Sequence, residues 1–248
     1  MKSSVLCILT VAFVIFFFSC GNSGRKHKNE RIRTEIRTSV GAKKRKVDID
    51  LKLSPNTKVM SGTEIFKRYN SAVFMVYTSD GYNAFQGSGF FISSDGVAVS
   101  NYHVFKGTSI GLETIKLSSG EQLSIEDVIA KSEESDFIIF KVEAKGKQRF
   151  NYIAIASTAP SVGDKVYAIG SPRGLENTFS SGEVSQWRDK NLMQISALID
   201  HGSSGGALIN EYGEVVGITS GSFYDGSQAN LNYAWSIDVI KSYITMKK

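Results

Sequence analysis

From Ala72 onward the chain is a succession of short apolar segments cut by Gly, Ser, Asn and Asp, and this spacing limits the fold more than any other feature. The segments run from Ala72–Thr78, Gly89–Ile92, Val97–Ser100 and Thr108–Leu117 through Ser124–Lys131, Phe137–Val142, Tyr152–Ala156, Lys165–Gly170 and Thr178–Trp187. They continue with Leu192–Ile199, Ala207–Asn210, Val215–Thr219 and Leu231–Ser236. Pieces this short, bounded by turn residues, read as strands. Two hairpin turns stand out, Ser94-Asp95-Gly96 and Glu211-Tyr212-Gly213-Glu214. One short helix is expected at each end: Thr63–Tyr69, with Ser61 or Thr63 as its N-cap, and Asp238–Thr245. The pattern is all-β, a sandwich or barrels, and two barrels of similar size fit the count without an internal repeat of fixed period.

The N-terminus has a different character. Lys2 precedes a 14-residue apolar run, Val5 to Phe18, which is short for a membrane span and has the proportions of a secretory signal. The sequence then reads Phe16-Phe17-Phe18-Ser19-Cys20-Gly21. A small residue followed by cysteine resembles the lipobox of bacterial lipoproteins, which makes Cys20 a lipidation candidate and residues 1–20 a signal peptide. Phe17 departs from the aliphatic residue usual there. Ordinary cleavage nearby and an uncleaved anchor are the alternatives.

Residues 21–58 lack apolar periodicity and read as a basic flexible tether ahead of a folded region at 59–248. The overall charge of +5 hides an asymmetry. Residues 25–46 hold ten Lys/Arg against two Glu, a net +8, whereas residues 47–248 hold 18 basic and 22 acidic residues, a net −4. The basic character therefore belongs to the tether, where it suits a solvated segment near an anionic membrane surface. A nucleic-acid role through Lys43-Lys44-Arg45-Lys46 would need salt-dependent affinity residing in that tail. Both cysteines, Cys7 and Cys20, precede the folded region, which therefore has neither a disulfide nor a thiolate metal site.

Three places in the folded region carry chemistry. The stretch Asp200-His201-Gly202-Ser203-Ser204-Gly205-Gly206-Ala207-Leu208 sets a serine on a glycine-rich turn between apolar runs. His103 follows the apolar Val97–Val99, and Asp136 stands directly before Phe137–Phe140. Each has an ordinary explanation by itself: a hairpin loop, a packed histidine, a turn aspartate. Together, in the order His103, Asp136, Ser204, they make a nucleophile, a base to take its proton and a carboxylate to orient the base. That order is one of the known arrangements of this triad.

On these residues the chain resembles the trypsin-like serine peptidases of the HtrA/DegP kind over about residues 62–246. Gln86-Gly87-Ser88-Gly89-Phe90-Phe91-Ile92 with Asn101-Tyr102-His103-Val104 matches the family's histidine region. Ser135–Val142 matches its aspartate region and Ile199–Asn210 its serine region. The resemblance implies a double six-stranded β-barrel with the site between the barrels. It also implies Ser204 as nucleophile, His103 as general base and then acid, Asp136 as orienter, and the N–H groups of Gly202 and Ser204 as the oxyanion hole.

By family position the substrate pocket falls on Leu198, with Leu198 at its base, and on Ser220, Gly221, Ser222, Asn232 and Tyr233. With no acid at that base, a small or medium aliphatic P1 residue is expected; Asp200 is expected elsewhere in the turn. Ser203 stands where digestive relatives carry an aspartate, so activation by a freshly cut N-terminus is not expected. Twelve residues follow Ser236, so no PDZ domain is expected in this chain.

The expected function is a serine endopeptidase acting on unfolded or flexible envelope proteins. No cofactor or metal is expected, the partners being polypeptide substrates and a membrane reached through a lipid on Cys20. The alternative is a catalytically silent lipoprotein scaffold on the same fold. Monomer and trimer both remain open.

Overall fold

The computed structural model describes residues 47–49, 58–108, 111–171, 177–222 and 231–246. Strand β1 (Val47–Ile49) lies outside the barrels and pairs in parallel with a strand from the far end of the chain, named below. Helix α1 (Gly62–Tyr69) starts at Ser61. The Ser61 hydroxyl accepts the Glu64 N–H at 3.3 Å, and the Glu64 carboxylate accepts the Ser61 N–H at 2.8 Å. This reciprocal capping box satisfies two donors that a helix start otherwise leaves open.

Six strands follow: β2 (Val73–Ser79), β3 (Ala84–Phe91), β4 (Val97–Ser100), β5 (Thr114–Lys116), β6 (Gln122–Ser132) and β7 (Phe137–Val142). They close a barrel in the order β2-β3-β4-β7-β6-β5. After the short β8 (Ala154–Ile155) come β9 (Lys165–Gly170), β10 (Thr178–Trp187), β11 (Leu192–Ile195), β12 (Ala207–Asn210), β13 (Glu214–Ser222) and β14 (Asn232–Ser236). These run β12-β9-β10-β11-β14-β13, and pairing of β12 with β13 closes the second six-stranded ring, with β8 added beside β13. The all-β pattern expected from the strand count, and the double six-stranded barrel implied by the resemblance, are the observed fold.

Side-chain alternation divides the core into three layers. In the first barrel Phe74, Phe91, Ala98, Ile138 and Phe140 point inward. Their neighbours Phe90, Val97, Val99, Phe137 and Ile139 point the other way, into a middle layer. In the second barrel Val166, Ala168, Leu208 and Val216 fill the interior, while Tyr167, Ile169, Ala207, Ile209 and Ile218 meet that middle layer. Strands buried on both faces read as continuous apolar runs, which is why Val97–Val99 and Phe137–Phe140 show no polar alternation. Each fully buried Phe or Ile contributes about 1.5–3 kcal/mol, so the middle layer holds the barrels together as firmly as each barrel holds itself. Helix α1 adds Ile65 and Tyr69 to that layer.

Several boundaries differ from expectation. The C-terminal helix is a 3-10 helix over Ile237–Tyr243, after which β15 (Ile244–Met246) takes up β1. Val47–Ile49, within the stretch expected to be tether, is a strand paired with β15. A three-residue strand whose partner lies almost 200 positions away (Val47 opposite Ile244) has no local signal. The strand expected over Thr108–Leu117 is confined to Thr114–Lys116, and that over Tyr152–Ala156 to Ala154–Ile155.

Candidate active site

The histidine and aspartate are placed by the first barrel. Strand β4 ends at Ser100, and the chain turns through Asn101 into a 3-10 turn, Tyr102–Val104, that carries His103. Asp136 is the last residue of the turn joining β6 to β7, directly before Phe137. It adopts φ 44°, a left-handed conformation that an L-residue takes only when its surroundings impose it. Asn101 Nδ2 donates to the Asp136 carbonyl at 2.8 Å and holds this end of the turn.

The carboxylate is fully engaged. Asp136 Oδ1 accepts the His103 backbone N–H at 2.9 Å, and Oδ2 lies 2.8 Å from His103 Nδ1. Ser220 Oγ, from β13 of the second barrel, donates to Oδ2 at 3.0 Å. A carboxylate only accepts, so Nδ1 carries the imidazole proton and Nε2 presents its lone pair. The Asp136 side chain is 15% exposed and that of His103 45%. The charge is thus sheltered while the base stays open to solvent.

Ser204 belongs to the turn that leads into β12. Gly202 has φ 93°, and Ser203 N–H donates to Asp200 O at 2.9 Å. A positive φ at the third position of such a turn defines type II, and glycine alone takes it without strain. A type I turn would reverse the His201–Gly202 peptide. Among the described residues neither the Gly202 N–H nor the Ser204 N–H has a hydrogen-bond acceptor. Two donors on one turn are thus left for an incoming oxygen. Among the same residues no hydrogen bond joins Ser204 Oγ to His103. Catalytic hydrogen bonds are commonly long in a resting site and shorten when substrate arrives.

The expected pocket residues divide. Gly221, at φ 86°, lies opposite Tyr233, and Ser222 opposite Asn232, so the two segments form adjacent strands. A Cβ on Gly221 would stand 3.3 Å from Ser204 Oγ, which places this glycine beside the Ser204 hydroxyl. Ser220 turns its hydroxyl to Asp136 instead of the pocket, because the register of β13 shifts between Thr219 and Gly221. Leu198, expected at the pocket base, lies between buried Ala197 and Ile199, faces the other way and is 68% exposed. Asp200 stays within the turn, its Oδ1 accepting the His201 N–H at 2.7 Å. Asn232 is buried, and the side chain of Ser222 lies outside the described residues, as does Cys20.

Asn101, Ser88 and Thr219 had no role in the sequence expectation, and Ser220, expected in the pocket, donates its hydroxyl to Asp136. The available signal was the repeated small hydroxyl residue beside glycine, in Gly87-Ser88-Gly89 and Thr219-Ser220-Gly221. Nothing local distinguishes such residues from turn serines. Asn101 is wholly buried, and among the described residues its Oδ1 has no hydrogen-bond partner.

A family model described as "Trypsin-like peptidase domain" matches residues 87–218. A probable periplasmic serine endoprotease DegP-like of Rhizobium meliloti (strain 1021) is 35% identical over 173 residues, covering 64% of this chain and 33% of that protein. Protease Do-like 5, chloroplastic, of Arabidopsis thaliana is 28% identical over 217 residues, covering 79% of this chain and 67% of that one. Among solved structures, the serine endoprotease from Yersinia pestis superposes with a TM-score of 0.65 at 27% identity, covering 74% of this chain and 65% of the other. The chain spans about a third of the length of the DegP-like relative.

Proposed function

The chain belongs to the trypsin-like peptidase family, of the HtrA/DegP kind, and from that premise we propose that it is an exported serine endopeptidase using Ser204, His103 and Asp136. The observation that most supports this reading is the double hold of one carboxylate on His103, at its backbone N–H and at Nδ1. It sets the tautomer in which Nε2 can accept a proton. Ser204 Oγ bonds to the substrate carbonyl carbon while its proton passes to His103 Nε2, and the carbonyl electron pair moves onto oxygen. The Gly202 and Ser204 N–H groups hold that oxyanion. Collapse expels the amine, which takes the proton from Nε2 and leaves an acyl-serine. Water then repeats the sequence and frees the acid. Stabilising the developing charge is usually the largest single contribution in such chemistry.

Substrate would lie along β13 near Gly221, adding backbone hydrogen bonds that tolerate many sequences, as suits unfolded or flexible polypeptides. Gly221, Asn232 and Tyr233 carry no carboxylate to attract Lys or Arg, and Asp200 accepts the His201 N–H within its own turn, which supports a small or medium aliphatic P1 residue. Two of the relatives are named as periplasmic DegP-like endoproteases, which supports export to the cell envelope. A signal peptide over residues 1–20, a lipid on Cys20 and a basic tether up to the domain complete the proposal. Replacing Cys20 by Ser should then release the protein from the membrane fraction.

The deciding experiment incubates the wild type and Ser204→Ala with a denatured protein and with a fluorophosphonate probe. The wild type should cleave and be labelled, and the folded variant should do neither. Equal cleavage by both, or a folded wild type that ignores the probe, would overturn the mechanism.

A further inference from the structure

The turn that carries Ser204 is gripped by its carbonyls. Ser88 Oγ donates to Gly202 O at 2.7 Å, and Ser88 N–H donates to Ser204 O at 2.8 Å. Between them, Ser203 O accepts Thr219 Oγ1–H at 2.7 Å and Gly206 N–H at 3.0 Å. A trans peptide is planar, so fixing a carbonyl also fixes the N–H on the opposite side of the same unit. Holding Ser203 O thus sets the direction of the Ser204 N–H. Holding Gly202 O sets the Ser203 N–H, which closes the turn on Asp200 O and with it the orientation of the Gly202 peptide. Both hydroxyl residues are enclosed, Ser88 at 0% and Thr219 at 1% exposure. Neither can reach a substrate.

Ser88 also joins the barrels. It lies on β3 of the first, and its Oγ accepts the N–H of Ser171, the residue after β9 of the second, at 2.8 Å. Its own carbonyl accepts Ser100 Oγ–H at 2.7 Å, next to the segment bearing His103. One buried serine therefore touches the supports of both halves of the site.

We propose that Ser88 and Thr219 are positioning residues whose hydroxyls hold the oxyanion-binding turn in its type II form, so that both N–H donors stand ready before substrate arrives. The proposal rests on the reading of Ser204 as nucleophile. Its consequence is a loss felt in the transition state and not in ground-state binding. Removing an oxyanion donor outright costs about 10²–10³ in kcat, and releasing one from its support costs part of that.

The test compares wild type, Thr219→Val, Thr219→Ser and Ser88→Ala on a peptide substrate, with a peptidyl trifluoromethyl ketone as the tetrahedral mimic. Thr219→Val keeps shape and loses the hydroxyl, so kcat should fall about 10-fold with KM within about twofold. Affinity for the ketone should weaken in step with kcat. Thr219→Ser should restore kcat to within about threefold of wild type, and Ser88→Ala should fall further than Thr219→Val, by about 100-fold. A folded Thr219→Val with wild-type kcat would overturn the inference, and so would a serine variant as impaired as the valine one. Should Thr219→Val fail to fold, Thr219→Ala takes its place, since it lacks the hydroxyl and adds no bulk. A wild type that neither cleaves nor binds the ketone would instead overturn the underlying peptidase reading.

Discussion

The two halves of the site are built on opposite plans. The base half of the proposed triad, Asn101, His103 and Asp136, lies between β4 and β7 of the first barrel and, among the described residues, takes the Ser220 hydroxyl from the second. It is held by charge-assisted hydrogen bonds to one carboxylate, each stronger than a neutral one. The nucleophile half belongs to the second barrel but is held by neutral hydroxyls and amides, one set from Ser88 across the interface and one from Thr219. The first barrel can therefore orient its histidine almost unaided. The turn bearing Ser204 depends on how the barrels meet.

The cores differ in the same sense. The first barrel is aromatic, with Phe91 stacked on Phe150 at 4.3 Å and tilted against Phe74 at 4.7 Å. The second is filled by aliphatic and small side chains such as Ala168, Ala197, Ala234 and Leu208. Aromatic contacts add about 0.5–1.5 kcal/mol beyond area burial, an increment the first barrel's core gains.

The strongest way to break this contrast is Asp136→Asn. The amide would donate where the carboxylate accepts, stabilise the wrong imidazole tautomer and lower kcat by about 10⁴; steady-state kinetics on the folded variant check it. A loss of only a few-fold would mean that the base half is not organised by this carboxylate. Next comes Phe91→Ala, which should cost about 3–5 kcal/mol of stability, read from denaturant unfolding. Met193→Ala in the second barrel should cost less, at about 2–3 kcal/mol, because it removes a smaller side chain. An equal or larger loss at Met193 would erase the distinction between the cores.

Ser220→Ala should have a smaller effect, about a tenfold fall in kcat, since Asp136 keeps both bonds to His103. A fall as large as that of Asp136→Asn would show that the base half leans on the second barrel after all.

The smallest effect is one of pH, outside the site. Burial would raise the Asp95 carboxyl, but hydrogen bonds from Lys141 and Ser93 and the Lys141 charge outweigh it and hold the group below its usual range. A lowered pKa in the folded state stabilises above the unfolded value. That contribution disappears as pH falls through the folded one, below about pH 4. Asp95→Asn should therefore be less stable than wild type near neutrality, by under about 1 kcal/mol for so exposed a pair, with the gap closing in acid. Unfolding curves at several pH values measure it. A gap that widens on acidification would reverse the sign of this argument.

Much was legible from local pattern. Short apolar runs between turn residues specify strands. Ser61 with Glu64 specifies the helix start, and the glycines around Ser204 specify a turn able to take positive φ. The sequence also singled out His103 and Asp136, which the fold brings within 2.8 Å of each other, because the folded region offers few histidines. These are matters of neighbouring residues and of composition.

What only the tertiary structure decided depends on residues far apart in the chain. The pairing of β1 with β15, the outward face of Leu198, the bond from Ser220 to Asp136 and the grip of Ser88 and Thr219 on the catalytic turn are all of this kind. A serine hydroxyl has no preferred partner written in its neighbours. Its partner is whichever buried carbonyl or carboxylate the packing brings within 3 Å, and packing is a property of the whole fold.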